Sequence, residues 1–137
     1  LDEDTLALVS GCARNVHFPA GAFLFREGEA AEEFYLLRSG RVALESASPG
    51  RPTMTILTIG AGEIAGVSWL VPPYRWRHDA RAIDEVRATS IGAECLRRKC
   101  EADAKLGYEL LKRLLPMLLK RLHATRLQML DVYGGRH

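Results

Sequence analysis

Between Val16 and Gly92 the apolar runs are short, rich in β-branched and aromatic residues, and most of them are closed by glycine. That pattern suggests short strands joined by tight turns, as in a sandwich or a barrel-like roll. Val16-His17-Phe18 starts a strand, and Pro19-Ala20-Gly21 turns the chain. Ala22–Arg26, Phe34–Arg38 and Met54–Ile59 read as further strands, with Ala80–Ile83 and Val86–Ile91 as the last two. Arg41–Glu45 alternates polar and apolar at period two, which predicts one buried and one exposed face. Ser39-Gly40 is a two-residue hairpin signal. Ser48–Pro52 is a loop tip, and Gly21, Gly28 and Gly40 fall where positive φ is expected.

After Gly92 the period changes to that of a helix. Glu94 to Ala102 predicts a short one, and Asp103 sits at an N-cap before a long helix from Ala104 to about Val132. Gly134-Gly135 ends it, and Pro116 inside it is expected to kink it or split it. Leu111, Leu115, Leu118, Leu122, Thr125 and Met129 alternate steps of four and three, the spacing of a heptad seam. Leu110, Leu114, Met117 and Leu119 widen the apolar band, so the helix must bury two faces. One face suits the strands and the other a second copy, giving a parallel homodimer. The alternative is a monomer folded back at Pro116. Lys112, Arg113, Lys120, Arg121 and Arg126 are expected as a solvated flank. At the other end, residues 2–12 suggest a short helix with Leu6, Val9 and Cys12 on one face, weakened by Gly11.

The expected architecture is therefore mainly β: a β-roll, jelly-roll-like, with a short N-terminal helix and a long C-terminal helix. A chain of 137 residues fits one domain. We divide it as 1–14, N-terminal helix; 15–92, β-roll; and 93–134, C-terminal helices. A net charge of +2 argues for neither nucleic acid nor an anionic membrane, and no 18-residue apolar run exists. Cys12, Cys95 and Cys100 are odd in number and form no C-x-x-C pair, which argues against a disulfide framework and for a reducing cytoplasm. The first residues are acidic and unlike a signal peptide, and the missing initiator Met points to a trimmed start.

Phe18-Pro19-Ala20-Gly21, Leu24–Glu29 and Phe34–Val42 together resemble the first half of the cyclic-nucleotide-binding domain of the catabolite activator (Crp/Fnr-like) superfamily. Ile59–Gly66 resembles the start of that family's phosphate-binding cassette, and Arg81–Val86 the strand pair after it. Leu130-Asp131-Val132 resembles the helix end that leads into a DNA-binding domain. The resemblance covers roughly residues 15 to 132. It implies a regulatory ligand-sensing module that binds a cyclic nucleotide, cAMP or cGMP, or a related phosphate.

The resemblance also implies a site. Glu63, after Gly62, matches the glutamate that accepts from the ribose 2′-hydroxyl. Ile64, Ala65 and Gly66 would offer backbone N–H groups at a short helix N-terminus to the phosphate. The family's phosphate arginine lies in an Arg-Ser/Thr-Ala triplet that this chain lacks. Counting back from Arg81-Ala82 puts Trp76 at its place, flanked by Arg75 and Arg77, the two candidate phosphate ligands. The segment after Glu63 is long and carries Trp69, Tyr74 and Trp76; it can line a modified pocket or fill it. Trp69 and Trp76 are read as packing. Arg81 faces solvent or pairs with Glu85 or Asp79. Thr125 is a candidate purine contact, set against a threonine bonding its own backbone.

Two further readings stay open. One is a degenerate, non-binding β-roll that serves dimerisation or partner docking. The other is the sensory half of a truncated transcription regulator. The chain ends five residues after Val132, so DNA binding by this chain alone is not expected. Three cysteines do not make an iron–sulfur site, and His17, His78 and His123 are read as surface or core histidines rather than haem ligands. No nucleophile–base pair or metal motif points to catalysis, so the chain is read as no enzyme.

Overall fold

A computed structural model describes residues 7, 9–46, 49, 50 and 52–134, with 124–134 described by backbone alone. Among the described residues, eight strands lead into two helices at the C-terminal end. The strands are β1 (Ala13–Phe18), β2 (Phe23–Phe25), β3 (Glu33–Ser39), β4 (Val42–Ser46), β5 (Met54–Ile59), β6 (Ile64–Ala65), β7 (Asp79–Ala82) and β8 (Val86–Gly92). The helices are α1 (Ala93–Ala102) and α2 (Ala104–Gly134). The strands form two antiparallel sheets, ordered β1-β8-β3-β6 and β2-β7-β4-β5. This is the expected β-roll closed by a long C-terminal helix.

The chain changes sheet at every connection between consecutive strands except β4–β5. That corrects the reading of Ser39-Gly40 as a hairpin: β3 pairs with β8 and β6, and β4 pairs with β5 and β7. Gly40 is instead a crossing point. It has φ 86° and lies so close to the Glu85 carbonyl that a Cβ would collide with it. The β3–β4 and β7–β8 crossings are stitched there by Ile83 N–H donating to Arg41 O (2.9 Å) and by an Arg41–Asp84 ion pair (2.8 Å).

The sheets enclose a core of Phe34, Leu37, Val42, Ile59, Ile64, Val86 and Ile91, with Leu96 of α1 against its end. The expected exposed face of β4 does not exist: Val42, Ala43, Leu44 and Glu45 are all buried. Glu45 is tolerated because Arg81 donates to both its oxygens at 2.9 Å across the β4–β7 pair. Glu45, not Glu85 or Asp79, is thus the partner of Arg81.

Ala7 and Val9 are helical, and a 3-10 turn at Ser10–Cys12 feeds directly into β1 at Ala13, ahead of the expected Val16. The rest of the predicted N-terminal helix lies outside the described residues. Register then explains a second correction. Ala13 lies opposite Ile91, so Cys12 meets the first turn of α1, where it forms a disulfide with Cys95 (Cα–Cα 5.7 Å). Cys100 stays free. A sequence separation of 83 hides such a pair from any local spacing rule. The argument from cysteine number to a reducing compartment therefore fails.

Asp103 caps α2 as expected, its Oδ1 accepting from the N–H groups of Lys105 (3.1 Å) and Leu106 (3.2 Å). Pro116 does not split α2, which runs unbroken to Gly134. One proline removes a single backbone donor, while the turns on both sides keep their own bonds. Leu110 and Leu114 of α2 are buried against the roll, whereas Leu111, Leu115, Leu119 and Leu122 are exposed. Among the described residues no helix is long and apolar enough to cross a membrane.

Candidate functional site

The Gly60–Glu63 turn joins β5 of one sheet to β6 of the other. Gly62 has φ 86°, and its N–H donates to Leu37 O (2.8 Å), while Leu37 N–H donates to Glu63 O (2.9 Å). Glu63 is half-buried, and its Oε2 accepts from Gly60 N–H at 2.7 Å. The glutamate thus braces its own turn with one oxygen and is not an ion-pair partner of the loop arginines Arg75 and Arg77.

Ile64 and Ala65 are placed differently from expectation. They form β6, opposite Leu36 and Tyr35 of β3, with both side chains buried. They are not a helix N-terminus; the short 3-10 turn begins later, at Ser68. The reason is local. Two apolar residues beside an open edge of β3 extend the sheet before the chain can turn. Gly66 (φ 98°) makes that turn, and its missing side chain leaves room for the Trp76 ring.

The stretch from Trp69 to His78 packs inward by its aromatics. Trp69 is buried and stacks on Phe34 (ring centroids 4.5 Å). Trp76, 4% exposed, stacks on Phe25 (3.9 Å). Both tryptophans are packing residues, as read from the sequence. The backbone is zipped to the 28–31 segment: Gly28 N–H to Trp76 O (2.8 Å), Trp76 N–H to Glu29 O (3.0 Å) and Ala31 N–H to Tyr74 O (2.7 Å). Arg97 of α1 ties the same stretch to the helices, donating to Trp69 O (2.5 Å) and lying over the Tyr74 ring (4.3 Å).

This zipper turns the two candidate phosphate arginines outward. Arg75 is exposed and donates to Gly28 O (2.9 Å). Arg77 is exposed with no hydrogen bond or ion pair among the described residues. Neither is joined by any described contact to the 60–66 segment. The side chain of Thr125 lies outside the described residues.

A cation does reach the 60–66 segment, from a place sequence reasoning assigned to the solvated flank. Arg121 of α2 is half-buried and its guanidinium donates to Ile64 O. Burial lowers its pKa from the ordinary arginine value, opposed by the negative charge of Glu63. His78 is the second residue missed. Its ring sits edge-on to Phe25 (5.7 Å), and its Nε2 is buried without a hydrogen-bond partner. Burial, then the Arg121 charge, push its pKa below the usual 6.5, against the pull of Asp79 and Glu27. A signal for Arg121 was present: Leu110, Leu114, Met117 and Arg121 follow steps of four, three and four, one helical stripe. In the sequence His78 reads only as a surface or core histidine, with no signal that sets it apart from His17 and His123.

Comparison with known proteins identifies the family and the fold. The cyclic nucleotide-binding domain family matches residues 15–103. The CRP-like cAMP-activated global transcriptional regulator of Mycobacterium tuberculosis is 27% identical over 132 residues, 96% of this chain and 57% of that protein. The chain thus spans little more than half the length of the curated relatives it matches. A crystal structure from Geobacter metallireducens GS-15, provisionally described as a cyclic nucleotide-binding protein, is similar at 32% identity and TM-score 0.77, covering 90% of this chain and 89% of that one. A cyclic nucleotide-binding domain from Methylobacillus flagellatus KT shares the fold at TM-score 0.83 and 21% identity, covering 96% and 74%.

Proposed function

Because the chain belongs to the cyclic nucleotide-binding domain family, we propose that it is a regulatory module whose β-roll takes a cyclic nucleotide or a related phosphate beneath α2. The observation that carries this reading is Glu63. Its carboxylate is half-buried and braced by Gly60 N–H, directly before the β6 carbonyl that α2 contacts through Arg121. A carboxylate held there suits a ribose hydroxyl, and the mycobacterial relative is described as cAMP-activated. cAMP and cGMP are therefore the ligands to test. The regulator-like relative, rather than the cysteine count, is what supports a cytoplasmic setting.

We read α2 as the dimer element. Leu111, Leu115 and Leu122 are exposed at heptad spacing, and an apolar groove of about 610 Å³ runs beside them, walled by Leu70, Val71, Tyr108 and Leu118. A second α2 presents the same seam, so the proposed occupant is another copy of the chain.

Trp76 favours a second reading. It stands where the family's phosphate arginine falls and is stacked and buried, so a filled, non-binding roll acting only through α2 is consistent with it. Calorimetric titration with cAMP and cGMP separates the two. The binding reading predicts saturable heat, weakened about 10–100-fold by Glu63→Ala, the worth of a hydrogen bond to a charged group. No heat and no thermal stabilisation at millimolar nucleotide would establish the second reading instead.

A further inference from the structure

The Cys12–Cys95 disulfide lies at the seam between the Ser10–Cys12 turn and the first turn of α1. Ligand binding as read above makes no use of it. In cytoplasmic proteins such bridges are mostly transient and redox-sensing rather than structural. The surroundings here are those of a reactive thiol. Cys95 is the third residue of α1, whose start has no side-chain cap, so unpaired N–H groups and the helix dipole favour a thiolate there. One turn on, Lys99 brings its ammonium so close to Gly11 that a Cβ on Gly11 would collide with it. That positive charge therefore lies beside the backbone that carries Cys12. Gly11 O in turn sits 3.9 Å from Cys95 Sγ. Glu94, the acidic residue of this helical turn, is engaged by Arg98 (2.6 Å). Cys12 and Cys95 are both half-buried, which leaves them within reach of small reagents. Cys100 is the contrast: burial, then Asp103 and Glu101, push its thiol pKa up.

We propose that Cys95 and Cys12 are an oxidative modification site for hydroperoxides, with Cys95 as the attacking thiolate and Cys12 as the resolving thiol. This rests on the cytoplasmic setting read above and on no part of the cassette. The Cys95 thiolate attacks a peroxide oxygen. The O–O bond breaks, the leaving oxygen takes up a proton as water or alcohol, and Cys95 becomes a sulfenic acid. The Cys12 sulfur then attacks the Cys95 sulfur. The S–S bond forms, the S–O bond breaks, and the hydroxyl leaves with the Cys12 proton as water. Two electrons pass from the thiols to the peroxide, and a dithiol reductant returns them by exchange. The oxidised form clasps the Ser10–Cys12 turn covalently to α1. The reduced form leaves that turn held by the β1–β8 pairing, which begins at Ala13 and Ile91.

The test starts from the wild-type chain reduced by dithiothreitol without denaturant, then freed of it and given equimolar hydrogen peroxide. Differential alkylation with peptide mass spectrometry follows each thiol. Cys12 and Cys95 are expected to close into the bridge while Cys100 stays a thiol. At neutral pH iodoacetamide should label reduced Cys95 about tenfold faster than Cys100, the effect of about one pKa unit on the thiolate fraction. In Cys12→Ser, Cys95 should be trapped as a sulfenic acid that dimedone labels; in Cys95→Ser, Cys12 should stay reduced. Lys99→Met should slow the labelling of Cys95 several-fold. If the serine variants do not fold, the three thiols of the wild type and Lys99→Met carry the test. Reaction of Cys100 ahead of Cys95, dimedone labelling of Cys12 in Cys95→Ser, or a bridge that millimolar dithiothreitol does not open in the folded chain overturns the inference. The nucleotide titrations are separate measurements, so the proposed function stands or falls without it.

Discussion

Gly66 and Trp76 offer a direct test of how the cassette is filled. Gly66 has φ 98°, and a Cβ there would collide with the Trp76 six-membered ring and touch Phe25 at 3.4 Å. Gly66→Ala therefore carries two separable costs. Placing a Cβ in left-handed backbone costs about 1–2 kcal/mol. Overpacking a filled core costs about 1–3 kcal/mol more. Only the second depends on Trp76, whose stack on Phe25 leaves the ring little room to retreat. A double-mutant cycle isolates it. Gly66→Ala should cost about 2–5 kcal/mol in the wild type but only about 1–2 kcal/mol in Trp76→Leu, where a smaller side chain gives way. Urea unfolding followed by far-ultraviolet circular dichroism measures each corner without relying on tryptophan emission. Equal costs of Gly66→Ala in the two backgrounds would refute the claim that Trp76 occupies the space beside the cassette turn.

Four more predictions rest on the packing and the charges. Closing the 83-residue separation between Cys12 and Cys95 should stabilise the chain by about 4–5 kcal/mol on the chain-entropy account, so a reductant must lower the urea midpoint, and an unchanged midpoint contradicts the bridge. The His78 pKa lies below 6.5 in the folded state, with Arg121, Asp79 and Glu27 as the charged groups around it, so the unfolded chain takes up this proton first as the pH falls. The contribution of His78 is whole above pH 6.5 and declines below it; the melting temperature should drop less between pH 7.5 and 5.5 in His78→Phe than in the wild type, and parallel drops would exclude this origin. Leu114, 5% exposed, should cost about 2–5 kcal/mol as alanine. Leu115, 56% exposed, should leave folding of one chain nearly intact as Lys yet shift sedimentation from dimer to monomer.

What the sequence revealed and what it hid divide along physical lines. Strand positions followed from short apolar runs and from glycines that permit positive φ, and Asp103 announced the start of α2 through its side-chain oxygen. Pairing was another matter. Ser39-Gly40 has the chemistry of a hairpin, yet Gly40 serves a crossing between sheets, because the partner of β3 is β8, far along the chain. The same distance concealed the Cys12–Cys95 bridge and the Glu45–Arg81 pair. Half of the candidate site was legible, since Gly62 and Glu63 form a self-contained turn. The other half depends on which face α2 shows to the roll. Arg121 looked like one cation among several on a flank until Leu110 and Leu114 fixed the rotation of the helix. The outward turn of Arg75 and Arg77 was equally non-local, being set by bonds to the 28–31 segment.

The central claim is that a cyclic nucleotide sits between the Glu63 turn and α2. Hydrogen–deuterium exchange with and without saturating cAMP or cGMP tests it at the level of individual segments. The account predicts slowed exchange in residues 60–66 and in the turns of α2 around Arg121. Exchange unchanged in both segments at millimolar nucleotide, or slowed only elsewhere, would contradict it.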